Sequence, residues 1–214
     1  QVLPGAVRNT LALLGLIAAL SLLVGVGLAW ASARYDYPGR RFFDWALVLP
    51  MALPGYVVAF VYVGLTDYAG PLQSAWRALG GAANGFPELR SVPGAALVLS
   101  LVLYPYVFLI VRAAFLRQGS AAMDAARSLG HGPLSAFFRA ALPMARPAWV
   151  AGLSLVLLEA LADFGAVSIL GVDTLATAIY KTWFGLYSLT AAAQLACAMV
   201  ALVALVLVLE RLGR

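Results

Sequence analysis

NTLALLGLIAALSLLVGVGLAWASA, residues 9–33, runs for 25 positions without a charged side chain until Arg34 ends it. A helix rises about 1.5 Å per residue, so roughly 20 apolar residues cross a hydrocarbon core ~30 Å thick. The stretch is long enough to span and too long for a signal-peptide core. It also lacks the alternation in ~10-residue segments that marks a membrane barrel strand. Three more uncharged runs follow, at residues 45–66, at 91–111 and within 182–209, the last stopping at Glu210. A fifth, residues 147–172, is interrupted only by Glu159 and Asp163. The expected fold is an all-α polytopic membrane bundle of about five transmembrane helices, forming a single domain over residues 1–214.

Composition points the same way. Hydrophobic residues make up 64% of the 214, charged residues 11%, and the mean hydropathy is +0.94. A soluble domain carries about a quarter charged residues. Five spans leave the two ends on opposite sides of the membrane and the chain opens with Gln1, so it is read as a fragment of a longer protein. Cys197, the single cysteine, sits in an apolar run and offers neither a disulfide framework nor a thiolate metal site. With one histidine, His131, and no nucleophile paired with a base, a metal enzyme or hydrolase has little support. Asp163-Phe164-Gly165 spells a kinase tripeptide but lies inside a span, with no catalytic loop or Gly-rich strand beside it. No Gly-x-x-x-x-Gly-Lys-Ser/Thr loop is present, so ATP hydrolysis by this chain is not expected.

Basic residues favour the cytoplasmic side of short loops. Placing the segment between the third and fourth spans inside gives Arg34, Arg40, Arg41, Arg112, Arg117, Arg127, Arg139, Arg146, Arg211 and Arg214 to the cytoplasm. Arg8, Arg77, Arg90 and Lys181 fall outside. Ten against four sets the N-terminus of this fragment outside and the C-terminus inside. The same bias accounts for the net charge of +5, which therefore gives no argument for nucleic-acid binding. Trp30, Tyr35 and Trp45 at the first inner loop, Tyr68 and Trp76 outside the second span, and Trp183 and Tyr187 outside the fifth match an aromatic belt.

The one long cytoplasmic segment, residues 118–147, is rich in helix formers. Ser120 suits a cap on a helix over 121–129, and Gly130 its termination. Gly132-Pro133 restarts a helix over 134–142, which Pro143 is expected to stop, since proline lacks an amide hydrogen and clashes with the preceding turn. Two short helices joined by a sharp turn need a partner surface to be stable. That geometry suits docking.

Asp124-Ala125-Ala126, then Gly130, then Leu142-Pro143 resembles the "EAA" loop of ABC importer permeases, Glu-Ala-Ala, three residues, Gly, nine residues, Ile, one residue, Leu-Pro. The spacing matches throughout; Asp124 stands for Glu and Ala140 for Ile. Across nearly its whole length the chain is similar to the ferric iron permeases of that superfamily, specifically to an amino-terminal half without its first helix. The matching stretches are Tyr37-Pro38-Gly39-Arg40-Arg41, residues 49–56, 67–73 and 161–167, and Ile179-Tyr180-Lys181-Thr182-Trp183-Phe184-Gly185. The resemblance implies that the loop is a coupling helix seated in a cleft of an ABC ATPase subunit. It also implies a second permease half, fused or separate, and a periplasmic or lipoprotein substrate-binding protein delivering cargo near residues 67–91 and 173–187. No cofactor is expected on this chain, ATP and Mg being used by the partner ATPase. Sulfate, molybdate, thiamine and polyamine permeases share the loop, so the resemblance leaves these cargoes open.

Charges inside a membrane are expensive and mark candidate paths. Glu159 and Asp163 lie four residues apart, hence on one face of a continuous helix, and easily ionise together only beside a cation. They, with Tyr104 and Pro54, are the candidate translocation-pathway residues. The competing reading pairs the acids with Arg112 or with backbone amides freed by prolines. An ion-coupled secondary transporter using them as its ion site is the alternative from a different class.

Overall fold

The computed structural model describes residues 2–82, 85–119, 128, 130 and 132–213. Among these residues every regular element is helical. Three helices are single apolar spans: α1 (Val2–Arg34), α5 (Val92–Gln118) and α10 (Leu189–Gly213). Two bent pairs supply the remaining crossings, giving up to five. No strand is needed, because backbone groups in hydrocarbon must be satisfied within the segment itself.

The centre of the bundle is α5. Of its most apolar stretch 72% is buried, against 28% for α1 and 11% for α10, which lies at the edge of the bundle. Val98, Leu99, Val107, Phe108 and Val111 of α5 are closed off from all sides. α1 lies along it with Leu13, Ile17 and Ala29 inward and Leu23 outward. Small residues bring the backbones together, as lipid offers no hydrophobic drive between helices. A Cβ on Gly25 of α1 would lie 2.8 Å from Val107 Cβ. Pro105 sits within α5, fully enclosed by neighbouring helices.

The second expected span, 45–66, is not one straight helix. α2 (Arg40–Ala46) is followed by a 3-10 turn, Leu49–Ala52, and then by α3 (Gly55–Thr66) and α4 (Pro71–Ala78). The chain turns by 95° between Ala52 and Gly55. Pro54 removes a backbone donor and forces Leu53 into extended conformation, φ −96° and ψ 130°. At 12 residues α3 is about 18 Å long, too short to cross alone.

The loop's second helix also departs from expectation. It forms α6, Pro133–Met144, and Pro143 does not stop it. A π turn at Phe137–Ala141 precedes the proline, with Leu142 N–H bonding back five residues to Phe137 O. The widened turn accommodates the pyrrolidine ring that a tight α turn would meet at its carbonyl. The real break falls at Ala145, where α6 meets α7 (Arg146–Ala162) at 71°. The fourth span likewise ends at Ala162, before α8 (Gly165–Ile169), α9 (Leu175–Tyr180) and a π turn at Lys181–Gly185.

Candidate coupling and translocation sites

Asp124, Ala125 and Ala126 of the expected docking helix, with Ser120 and His131, lie outside the described residues. Gly130 is described: it is exposed and holds φ +82°, the left-handed conformation that glycine adopts without strain. Leu142 and Pro143 lie in the last turn of α6, Leu142 half-buried and Pro143 exposed.

Within the membrane, the break at Pro54-Gly55 opens a cavity of about 200 Å³ against α5 and α7. Its lining includes Met51, Pro54, Gly55, Tyr106, Glu159 and Asp163. The structure therefore brings the two acids together, but not in the way their spacing implies. Glu159 stays on α7, whereas Asp163 lies past the helix end with ψ 113°. Asp163 Oδ1 accepts the Ala166 N–H at 2.7 Å, capping α8, and Oδ2 sits 2.9 Å from where a Cβ on Gly55 would be. One carboxylate oxygen is thus committed to a backbone amide at the start of α8, not to one freed by a proline. Tyr106 interacts with the Glu159 carboxylate across the cavity.

Two expectations are corrected. Tyr104 does not face the cavity: it is buried, and its hydroxyl donates to Leu47 O at 2.8 Å, tying α5 to the end of α2. Tyr104 and Tyr106 are two positions apart on a helix, roughly 200° around its axis, so only one of them can face a given side. Arg112 does not approach either acid. Its Nη2 meets Asp44 Oδ2 at 2.6 Å and its Nε donates to Ser32 Oγ at 3.1 Å, joining α1, α2 and α5. No motif in the sequence marks Asp44; α2 carries it to the half-buried Arg112, 68 positions further along the chain.

The two faces expected to meet a binding protein carry distinct chemistry. Asp67, Tyr68, Glu88 and Arg90 surround a cavity of about 260 Å³. Lys181 pairs with Asp173. Phe164, Tyr180, Phe184 and Trp183 form a run of partly exposed rings, each 4.9 Å from the next.

Residues 13–212 match the family described as binding-protein-dependent transport system inner membrane component. The chain belongs to that family. As a family member it is an inner-membrane, multi-pass transport component and not an enzyme. It is 27% identical over 198 residues to the Fe(3+)-transport system permease protein FbpB 2 of Haemophilus influenzae, covering 92% of this chain and 35% of the relative. It is 33% identical over 150 residues to the sulfate transport system permease protein CysW of Escherichia coli, covering 70% and 50%. With the molybdenum transport system permease protein ModB of Azotobacter vinelandii it shares 30% identity over 170 residues, covering 78% and 72%. The chain spans about a third to a half of the length of the first curated relatives it matches. Among solved structures, a bacterial ABC transporter importing the acidic polysaccharide alginate matches with a TM-score of 0.77 at 17% identity, covering 99% of this chain and 79% of that one. The MetNI methionine ABC transporter, facing inward, matches with a TM-score of 0.74 at 16% identity, covering 98% and 93%. These likenesses establish the type I ABC importer permease fold for this member.

Proposed function

We propose that this chain is the membrane-spanning half of an ABC importer permease working by alternating access, with ferric iron as cargo. An ATPase subunit grips the coupling loop on the cytoplasmic side and hydrolyses ATP with Mg. A second permease half completes the path, and a binding protein delivers cargo at residues 67–91 and 173–187. The orientation that serves this arrangement is N-terminus outside, C-terminus inside. Family membership carries the importer reading, and the loop spacing from Asp124 to Pro143 locates the coupling element.

The cavity carries the choice of cargo. Glu159 and Asp163 face one small space of mixed polar and apolar lining. Like charges brought together where water is partly excluded repel more strongly than in bulk water. A sulfate or molybdate dianion passing such a pair meets that repulsion, whereas a hard cation gains from it and suits oxygen ligands. Among the described residues no group of three or more His, Cys, Asp or Glu converges. The acids are assigned to easing a cationic cargo along this space. Sequence identity to the sulfate permease favours an oxyanion as the second reading.

Two experiments separate these levels. Gly130→Val and Asp124→Lys should abolish recovery of the ATPase with the intact permease; absence of any ATPase on the wild type would end the importer reading. Glu159→Gln and Asp163→Asn should lower ferric iron uptake by about tenfold or more while ATPase assembly is kept. Unchanged uptake dismisses the acid path, and sulfate uptake by the wild type reassigns the cargo.

A further inference from the structure

α1 ends at Arg34 and the chain turns at once. Gly39 holds φ +82°, the N–H groups of Phe42 and Phe43 both donate to its carbonyl, and α2 begins at Arg40. Only residues 35–39 separate the end of a full span from α2, so α2 lies at the surface where α1 leaves the hydrocarbon. No residue of α2 is buried. Its three rings are open: Phe42, Phe43 and Trp45 are 62%, 46% and 61% exposed. Phe42 lies 5.6 Å from Phe43 and 6.2 Å from Trp45, which makes them one patch. Trp30, near the end of α1, behaves differently: it turns inward onto Phe115 and Phe137, at 5.2 and 4.8 Å. Rings left outside the bundle at the end of a span sit at headgroup level, where one part of the ring meets hydrocarbon and another meets water.

The charges beside the patch do not balance. Asp36 pairs with Arg40, and Asp44 with Arg112 of α5. Arg34 and Arg41 remain, and among the described residues neither forms an ion pair. Arg41 is exposed and Arg34 half-buried. A guanidinium presents a planar fork of donors that matches a phosphate two bonds at a time. A short helix with rings toward the hydrocarbon and arginines at the surface has the make-up of an interfacial anchor, and its basic groups draw anionic lipid. The Asp44–Arg112 pair and the bond from Tyr104 Oη to Leu47 O tie α2 to α5, so the patch is held in place before any ligand arrives.

We propose that Arg34 and Arg41, with Phe42, Phe43 and Trp45 of α2, form a binding site for an anionic phospholipid, the arginines taking its phosphate and the rings its upper acyl chains. The chain runs on from this site through Leu47 and the 3-10 turn to the break at Pro54-Gly55, so the lipid is held beside the segment that walls the acid cavity. The site requires only that α1 spans the membrane and stands apart from the importer reading.

Trp45 is the reporter. The full permease is placed in phosphatidylcholine nanodiscs containing a trace of phosphatidylglycerol brominated near its headgroup, or of phosphatidylcholine brominated alike. The Trp45 signal is the difference in fluorescence between the wild type and Trp45→Phe. Two arginines should make the anionic lipid about tenfold more effective as a quencher of that signal. The preference should vanish in the double variant Arg34→Gln/Arg41→Gln and persist in Arg34→Lys/Arg41→Lys, which keeps the charge. Equal quenching by both lipids in the wild type overturns the site, and so does a preference that survives in the glutamine pair, since general surface charge would then be its source. Quenching by neither lipid also overturns it and gives α2 to a protein partner, such as a second permease half. Loss of the preference in the lysine pair as well would trace it to packing and overturn the assignment to charge.

Discussion

Val107 is approached by glycines from two different helices. Besides Gly25 on α1, a Cβ on Gly152 of α7 would lie 2.9 Å from Val107 Cα, a backbone atom that cannot rotate away. Gly152→Ala should therefore push α7 off α5, costing about 1–3 kcal/mol. Gly27→Ala, where nothing lies within 4 Å, should leave stability unchanged. Apparent melting temperatures in detergent distinguish the two. Tyr104→Phe removes the donor to Leu47 O and leaves a part-buried carbonyl unpaired, a loss of about 1 kcal/mol in the same assay. Cargo selectivity should not change, because Tyr104 lies outside the cavity. The sequence marks Tyr104-Pro105-Tyr106 as special, but which phenol meets the acids depends on how α5 is rotated, and the packing of α1 and α7 sets that rotation.

At the scale of elements, the uncharged runs predict where the chain crosses and the prolines predict where it bends. Pro50, Pro54 and Gly55 carry the signal for the break between α2 and α3, and the break is there. The geometry of a break is not written so locally. Pro143 reads as a stop, yet α6 continues through it because a π turn upstream makes room. Glu159 and Asp163 read as one helix face, yet the helix ends between them and Asp163 becomes a cap. This has a measurable consequence. Asp163→Ala should lose the cap on Ala166 and destabilise the α7–α8 junction by about 1 kcal/mol, whereas Asp163→Asn retains an accepting oxygen and most of that stability. A fall in uptake common to both variants then reports charge, and thermal stability lost in Ala alone reports the cap.

For the whole molecule, the arginine distribution predicts an orientation that chemical labelling can check. In a Cys197→Ser background, Tyr187→Cys, at a position 90% exposed, should react with an impermeant thiol reagent in intact cells. Leu134→Cys, 71% exposed, should react only after the membrane is opened. The reverse pattern would invert the topology and move the coupling loop to the wrong face for an ATPase. The apolar spans and the family resemblance were legible from the sequence because each depends on local quantities: apolar length against bilayer thickness, and residue spacing along the chain. The acid cavity, the Arg112–Asp44 tie and the Trp30–Phe115–Phe137 cluster join residues far apart in the chain, and only tertiary structure assembled them. Lipid tells a helix that it must span but not which face meets which neighbour. That choice is made by close packing at positions such as Gly25, Val107 and Gly152, where backbone approach decides every contact that follows.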